Sequence, residues 1–260
     1  MTNASPPASV RLQITDTAPD GSTRFVDEFV PYVASEGPLR ATAPMPATGL
    51  SFRWTPGSFD FDFHPAPRHR LVLVTEGALE ITVSSGEARV FQPGDVLSIR
   101  DTWGRGHRSR AVGGPFRSAF IALDDERLLD RREPAPTGCA DGVDYLHNQD
   151  GASGLSYFER KRLAYAYGGV EGRETEELPL SAFQFVWAAG DLDYDWHPAP
   201  QRQAVLVLTG GLAMQYGDGS AAEVPPGGFL IGEDTSGRGH ITRALDGAER
   251  FSVFAHLAPG

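Results

Sequence analysis

Two histidines in each half of the chain have types and spacing that could do chemistry. The tetrapeptide His-Pro-Ala-Pro occurs at 64–67 and again at 197–200. At the same distance beyond each copy, a Gly-Arg-Gly-His segment ends at His107 and at His240. Imidazole can ligate a divalent metal or take up a proton near neutral pH, because its ordinary pKa is about 6.5. The pattern therefore predicts two related pockets, each with two histidines.

The repeated spacing reflects an internal duplication. Residues 52–112 align with residues 185–245 without a gap, and 27 of the 61 aligned positions are identical. Shared composition cannot produce that density, so the chain contains two copies of one unit. We expect an N-terminal domain over 1–124, a linker over 125–142 and a C-terminal domain over 143–260.

Each copy has the pattern of short β-strands. In the first copy, runs of alternating or β-branched residues cover 71–74, 79–83, 88–91 and 96–99, and turn-forming pairs such as Glu-Gly and Pro-Gly separate them. Helix signals are nearly absent. Short strands at intervals of about 8–12 residues are typical of a sandwich or barrel. The predicted fold is therefore all-β, with two barrels in tandem.

The shared residues resemble the two motifs of the cupin family. In the first motif a histidine is followed by a polar residue and then a glycine, here His64, Arg70 and Gly77, or His197, Gln203 and Gly210. A Pro-Gly turn, a short strand and a later histidine resemble the second motif. The resemblance implies a bicupin, with two tandem cupin jelly-roll (double-stranded β-helix) barrels. The aspartate and threonine that both copies place in the second motif are expected to stabilise their own turn.

Cupin barrels usually hold a divalent metal through a His-x-His pair, a glutamate and the histidine of the second motif. Here the second histidine of the pair is replaced by Ala66 or Ala199. For the C-terminal barrel, the resemblance implies three metal ligands: His197, Gln203 and His240.

A carboxylate from Asp195 or Glu233 would complete this set. Two histidines and one carboxylate are the ligands of non-haem Fe(II) enzymes. We therefore expect a divalent metal in the C-terminal barrel only, with Fe(II) favoured over Mn, Ni or Zn.

The N-terminal barrel is expected to hold no cation. Arg70 and Arg100 occupy the positions of Gln203 and Glu233, and a guanidinium group has no lone pair for a metal. If both arginines face the pocket, they make it favourable for an anion. We expect this barrel to be structural, or to bind a substrate carboxylate through Arg70, Arg100, His64 and His107.

Three functions are compatible with these motifs. The first is a metal-dependent, oxygenase-type enzyme acting on a small organic molecule, with His197, His240 and Glu233 as catalytic residues. The second is a metal-free isomerase, epimerase or cyclase that uses His197 or His240 as a base. The third is a bicupin that binds a small molecule without catalysis.

The net charge of the chain disfavours two classes of binding partner. The chain has 23 Lys and Arg against 34 Asp and Glu, a net charge of −11, and such a surface repels nucleic acid and anionic lipid. We find no signal-peptide pattern and no apolar run of about 20 residues, which predicts a cytoplasmic protein away from membranes. Cys139, the single cysteine, is expected to be a spectator. The resemblance to cupins implies dimerisation, and edge strands carry unpaired backbone groups that a second copy can cover. We therefore expect a homodimer.

Overall fold

A computed structural model describes residues 6–123 and 141–259 of the chain. Within these residues every regular element is a β-strand except one 3-10 turn, and no helix is long and apolar enough to span a membrane. The predicted linker over 125–142 lies outside the described residues except for its last two positions. Cys139 also lies outside them.

The described strands of the two halves repeat in nearly the same order. In the N-terminal half they are β1 (Ser9–Thr17), β2 (Thr23–Glu36), β3 (Leu39–Thr42), β4 (Met45–Pro46), β5 (Gly49–Thr55), β6 (Asp60–His64), β7 (Arg70–Glu76), β8 (Leu79–Val83), β9 (Ala88–Phe91), β10 (Leu97–Ile99), β11 (His107–Ala111) and β12 (Phe116–Ala122). In the C-terminal half they are β13 (Gly142–Asp150), β14 (Ser156–Gly169), β15 (Gly172–Thr175), β16 (Leu178–Ala188), β17 (Asp193–His197), β18 (Gln203–Thr209), β19 (Leu212–Gln215), β20 (Ala221–Val224), β21 (Phe229–Gly232), β22 (His240–Ala244) and β23 (Arg250–Leu257).

The strands predicted in the first copy are confirmed to within two residues by β7, β8, β9 and β10. Their formation follows from alternation: on β8, Leu79, Ile81 and Val83 are buried while the residues between them are half-buried. Gly77 ends the preceding strand with φ of 75°, and a Cβ there would lie 2.6 Å from the carbonyl oxygen of Pro115. Only glycine fits that turn without strain.

Each half forms a jelly roll from two facing sheets. A four-stranded sheet, β6-β11-β8-β9 in the N-terminal half and β17-β22-β19-β20 in the C-terminal half, faces the corresponding part of one large sheet. Apolar side chains from both faces fill each barrel, and Leu73, Phe185 and Leu206 belong to a third core between the halves. The predicted all-β fold of two tandem cupin-type barrels is confirmed.

The large sheet runs through both halves because they exchange short strands. β3 of the N-terminal half pairs with β16, placing Arg40 opposite Trp187, and β15 of the C-terminal half pairs with β5, placing Arg173 opposite Trp54. The shared core lies behind this exchange, where the rings of Phe52 and Phe229 stack at 4.3 Å. Sequence repetition thus marks two units, whereas the hydrogen-bonded sheet joins them.

Candidate functional site

The two histidines of each copy lie side by side inside their barrel. β17 ends at His197, whose partner on β22 is His240, and their ring centroids are 4.6 Å apart. In the N-terminal half, His64 and His107 pair in the same way at 4.7 Å. Both first strands end at the histidine that precedes the proline, because proline cannot donate a ladder hydrogen bond.

Hydrogen bonds determine which ring nitrogen carries the proton in each histidine of the C-terminal pair. Nδ1 of His197 donates to the backbone carbonyl of Asp195 at 2.7 Å, and Nδ1 of His240 donates to the carboxylate of Asp234 at 2.5 Å. A carbonyl and an ionised carboxylate only accept, so each ring carries its proton on Nδ1 when neutral. Nε2 of both rings then holds a lone pair.

The N-terminal pair has the same arrangement. Nδ1 of His64 donates to the carbonyl of Asp62 at 2.8 Å, and Nδ1 of His107 donates to the carboxylate of Asp101 at 2.7 Å. A second donor, the Thr15 hydroxyl, holds the other oxygen of Asp101 at 2.6 Å. Both copies therefore preserve a complete His–His–Asp unit rather than two histidines alone.

Asp101 and Asp234 correct the sequence-based expectation. They are expected to stabilise their own turn, but both are fully buried and bind the ring of a histidine six residues later. Burial of a carboxylate requires such a partner, because an unpaired buried charge is costly. The signal in the sequence was the identical Asp-to-His spacing in both copies.

Backbone contacts tie the first motif to the second. The amide of Ala199 donates to the carbonyl of Asp234 at 2.9 Å, and Ala66 and Asp101 repeat this bond at 2.9 Å. Gly239 has φ of 70°, and a Cβ on it would lie 2.0 Å from the carbonyl oxygen of His197. The tetrapeptide and the Gly-His step are therefore parts of one packed unit, which explains why they recur together.

Burial keeps the first histidine of each pair neutral. Burial lowers the pKa of His197 below its ordinary value, and the neighbouring imidazole of His240 acts in the same direction. Burial also lowers the pKa of His64, to which His107 and then Arg70 contribute. The rings thus present lone pairs rather than charges at neutral pH.

Two of the predicted C-terminal site residues do not join the histidines. The carboxylate of Glu233 binds Nε2 of His147 at 2.8 Å and Arg202 at 2.6 Å. Its neighbour Asp234 takes the inward position, and adjacent residues of an extended chain point to opposite sides. Asp195 is exposed, and its carboxylate accepts the amide hydrogen of Trp196 at 2.8 Å.

Gln203 lies inside the C-terminal barrel. It is buried at the start of β18, directly opposite Gly232 and His256 on the neighbouring strands. It shares a strand face with Val205 and Val207, which belong to the interior core of the C-terminal barrel. Its amide therefore faces the barrel interior.

The two predicted arginines of the N-terminal barrel separate. Arg100 lies on the outside, where its guanidinium pairs with the carboxylate of Glu28 at 3.1 Å. Arg100 points outward because its neighbour Asp101 points inward, and adjacent residues of an extended chain face opposite sides. Arg70 does lie in the barrel, with its guanidinium carbon 4.2 Å from the ring centroid of Phe120.

Arg250 is a buried cation that the motifs do not indicate. It is 3% exposed on β23, and its Nε and Nη1 have no hydrogen-bond partner among the described residues. Burial lowers its pKa to about 10. The signal is weak, since an arginine at the end of a strand usually reaches solvent.

The ligand set of the C-terminal barrel does not fit a tightly bound divalent metal. In the described part of the chain, no three His, Cys, Asp or Glu side chains are arranged to hold one. Of the predicted ligands, two imidazoles and the amide of Gln203 face this barrel, whereas zinc and non-haem iron sites use three or more strong protein ligands. The expected Fe(II), Mn, Ni or Zn centre stays a prediction.

Comparison with known proteins gives structural matches of low similarity and no family. No protein-family model matches the chain, and no curated protein matches it. Solved structures that align with it include a cupin 2 conserved barrel domain protein from Leptotrichia buccalis, with 14% identity, coverage of 87% of this chain and 92% of that one, and a TM-score of 0.41. A putative glyoxylate-induced protein from Pseudomonas aeruginosa aligns with 12% identity, coverages of 86% and 84%, and a TM-score of 0.42. A variant of oxalate decarboxylase from Bacillus subtilis aligns with 11% identity, coverages of 86% and 75%, and a TM-score of 0.31. At these TM-scores the assignment of the fold rests on the strand order described above.

Proposed function

We propose that the C-terminal barrel is the active site of a metal-independent enzyme that transfers a proton within a small organic molecule, as isomerases, epimerases and cyclases do. The observation that carries this proposal is the hydrogen bond between His240 Nδ1 and the fully buried carboxylate of Asp234. An imidazole held in this way has a fixed orientation and a free basic nitrogen.

In the proposed reaction, Nε2 of His240 removes a proton from the substrate. The carboxylate of Asp234 stabilises the imidazolium that forms, and the proton returns to another atom of the same substrate. No oxidant or reductant is needed. A positioned general base of this kind contributes about 10²- to 10⁴-fold to the rate. The ring of His197, 4.6 Å from that of His240, supplies a second nitrogen for returning the proton.

The two barrels differ in how well their histidines suit this task. In the N-terminal barrel the positive charge of Arg70 adds to burial in lowering the pKa of His64. The C-terminal barrel has the neutral Gln203 at that position, so no fixed positive charge there opposes protonation of an imidazole. Because a general base works best with a pKa near the working pH, the C-terminal barrel is the better candidate.

A metal-dependent oxygenase would use the same C-terminal histidines. It would need a third strong ligand, and the carboxylate of Glu233 is already bound to His147 and Arg202. The amide of Gln203 is the other predicted ligand that faces this barrel, and an amide is a weak ligand. We therefore place proton transfer ahead of oxygenation.

Hydrogen exchange tests the proposal without knowledge of the product. The purified protein is incubated in D₂O with a panel of small ketones, 2-oxo acids and hydroxy acids, and deuterium incorporation at carbon is followed by NMR. We expect exchange in at least one compound, unaffected by EDTA and reduced at least about 100-fold in His240→Ala. His107→Ala is the matched control and should retain the exchange.

Two results would count against proton transfer by His240. One is exchange that persists in His240→Ala. The other is exchange that disappears with EDTA and returns with Fe(II), Mn(II), Ni(II) or Zn(II), together with metal bound to the wild-type protein but not to His240→Ala. That result would support the metal-dependent alternative.

A further inference from the structure

Arg70 is a partly buried cation beside the histidine pair of the N-terminal barrel. Its guanidinium carbon lies over the ring of Phe120, 4.2 Å from the ring centroid. A guanidinium held against a ring in this way keeps nitrogen donors for a further hydrogen-bond partner. Burial lowers the pKa of Arg70 to about 10, so the group remains charged at neutral pH.

The charged groups that act on Arg70, Glu174 foremost, also have other partners. Arg68 forms a close salt bridge with Glu177, and the carboxylate of Asp101 binds His107 at 2.7 Å. Glu174, which β15 contributes from the other half, accepts a hydrogen bond from Ser51 at 2.8 Å. Arg70 itself makes no ion pair with any carboxylate in the described ranges, and its Nε has no hydrogen-bond partner there.

Aromatic rings lie beside the same histidines. Phe61 contacts His64 edge-on with ring centroids 4.3 Å apart, and Phe59 is stacked nearly parallel to Phe61 at 6.3 Å. Phe61 is 37% exposed, so a planar group entering from solvent can reach it. The C-terminal barrel has Tyr194 and Leu192 at these two positions. Tyr194 contacts His197 edge-on at 5.6 Å, so it is the stacked pair of phenylalanines that is particular to the N-terminal barrel.

We propose that the N-terminal barrel binds a small aromatic carboxylate, with the carboxylate at the edge of Arg70 and the ring against Phe61 beside His64. A planar carboxylate matches the fork of guanidinium donors, and charge-assisted bonds of this kind are the strong ones. Aromatic rings prefer offset or edge-on contact with one another, which the exposed Phe61 offers. This binding site is separate from proton transfer in the C-terminal barrel.

Calorimetric titration of the full chain with benzoate tests the proposal. We expect one saturable site per chain for benzoate, weaker binding of cyclohexanecarboxylate and acetate, and no binding of benzamide. Arg70→Gln, which installs the residue of the other copy, should weaken benzoate binding about 10- to 100-fold, because charge-assisted hydrogen bonds are lost. Arg24→Gln removes the same charge from an exposed site in the same half and should leave binding unchanged.

Phe61→Ala provides a second test that does not depend on a buried residue. It should weaken benzoate binding while leaving acetate binding unchanged. Equal benzoate affinity in Arg70→Gln and wild type, or no saturable benzoate binding, would overturn the proposal. Acetate binding as tight as benzoate, or benzoate binding unaffected by Phe61→Ala, would overturn its aromatic part. All of these measurements are made without turnover, so they stand or fall apart from catalysis by His240.

Discussion

Nδ1 of His240 lies 2.5 Å from the carboxylate of Asp234, six residues earlier in the chain. His107 and Asp101 repeat this contact at 2.7 Å in the other half. Duplication has preserved the hydrogen bond together with the histidine. By contrast, the position of the usual cupin glutamate holds Arg70 in one barrel and Gln203 in the other. The aspartate therefore holds the histidine ring in each barrel rather than a local turn.

Asp234→Asn should reduce proton exchange at least about 100-fold, because asparagine can neither stabilise an imidazolium nor hold the Nδ1–H form as strongly. The measurement is the D₂O exchange assay with whichever compound the wild type exchanges. Asp101→Asn is the matched variant in the other barrel and should have little effect. Equal losses in both variants would point to a general loss of folding.

Gly239→Ala should unfold the C-terminal site. A Cβ at this position would lie 2.0 Å from the carbonyl oxygen of His197, and the residue has φ of 70°, which alanine adopts only with strain. We expect a loss of about 2–4 kcal/mol in the free energy of unfolding, measured by urea denaturation. Gly219 also has a positive φ, 89°, but a Cβ added there would have no atom within 4 Å. Gly219→Ala therefore measures the backbone strain alone, without a steric clash. Equal losses in the two variants would show that the contact with His197 is unimportant.

Stability should fall as the pH drops below about 6.5. Burial lowers the pKa of His64, His197 and His256 in the folded chain, whereas in the unfolded chain these histidines titrate near 6.5. Below that pH the unfolded chain binds more protons, so the free energy of unfolding decreases until the folded-state pKa is passed. Above about 6.5 both states are neutral at these positions and the effect vanishes.

Thermal denaturation between pH 5.0 and 7.5 at constant ionic strength measures this effect. The unfolding temperature should decrease toward pH 5.0, and His256→Gln should make the decrease shallower. An unfolding temperature that rises on acidification would contradict the assigned direction.

Arg250→Met should stabilise the protein. Arg250 is 3% exposed without a described partner for two of its nitrogens, and Phe116 occupies the equivalent strand position in the other half. Replacing an unpaired buried charge by an apolar side chain of similar length removes the cost of desolvating the charge. We expect the free energy of unfolding to rise by about 1–4 kcal/mol. Urea denaturation gives the change. A loss of stability would show that Arg250 binds a counter-charge.

The sequence predicted the barrels because duplication and alternation are local signals. The turns at Gly77 and Gly210 and the pairing of His197 with His240 follow from them. The sequence does not show which side of the strand the Glu233 side chain faces, because alternation must be counted from a residue of known burial. The contact of Asp234 with His240 shows that Asp234 faces inward, and Glu233 therefore faces outward. The exchange of β3 and β15 between halves depends on contacts far apart in the chain, for which no local pattern exists.

The protonation of the His240 ring tests the central claim most directly. Long-range ¹H–¹⁵N NMR of uniformly ¹⁵N-labelled protein at pH 7.5, assigned by comparison with His240→Ala, distinguishes a protonated Nδ1 from a protonated or metal-bound Nε2. We predict that His240 carries its proton on Nδ1 with a free lone pair on Nε2, that EDTA leaves its signals unchanged, and that Asp234→Asn alters them. A proton on Nε2, or an Nε2 signal that shifts when EDTA removes a metal, would contradict the assignment of His240 as a metal-independent base.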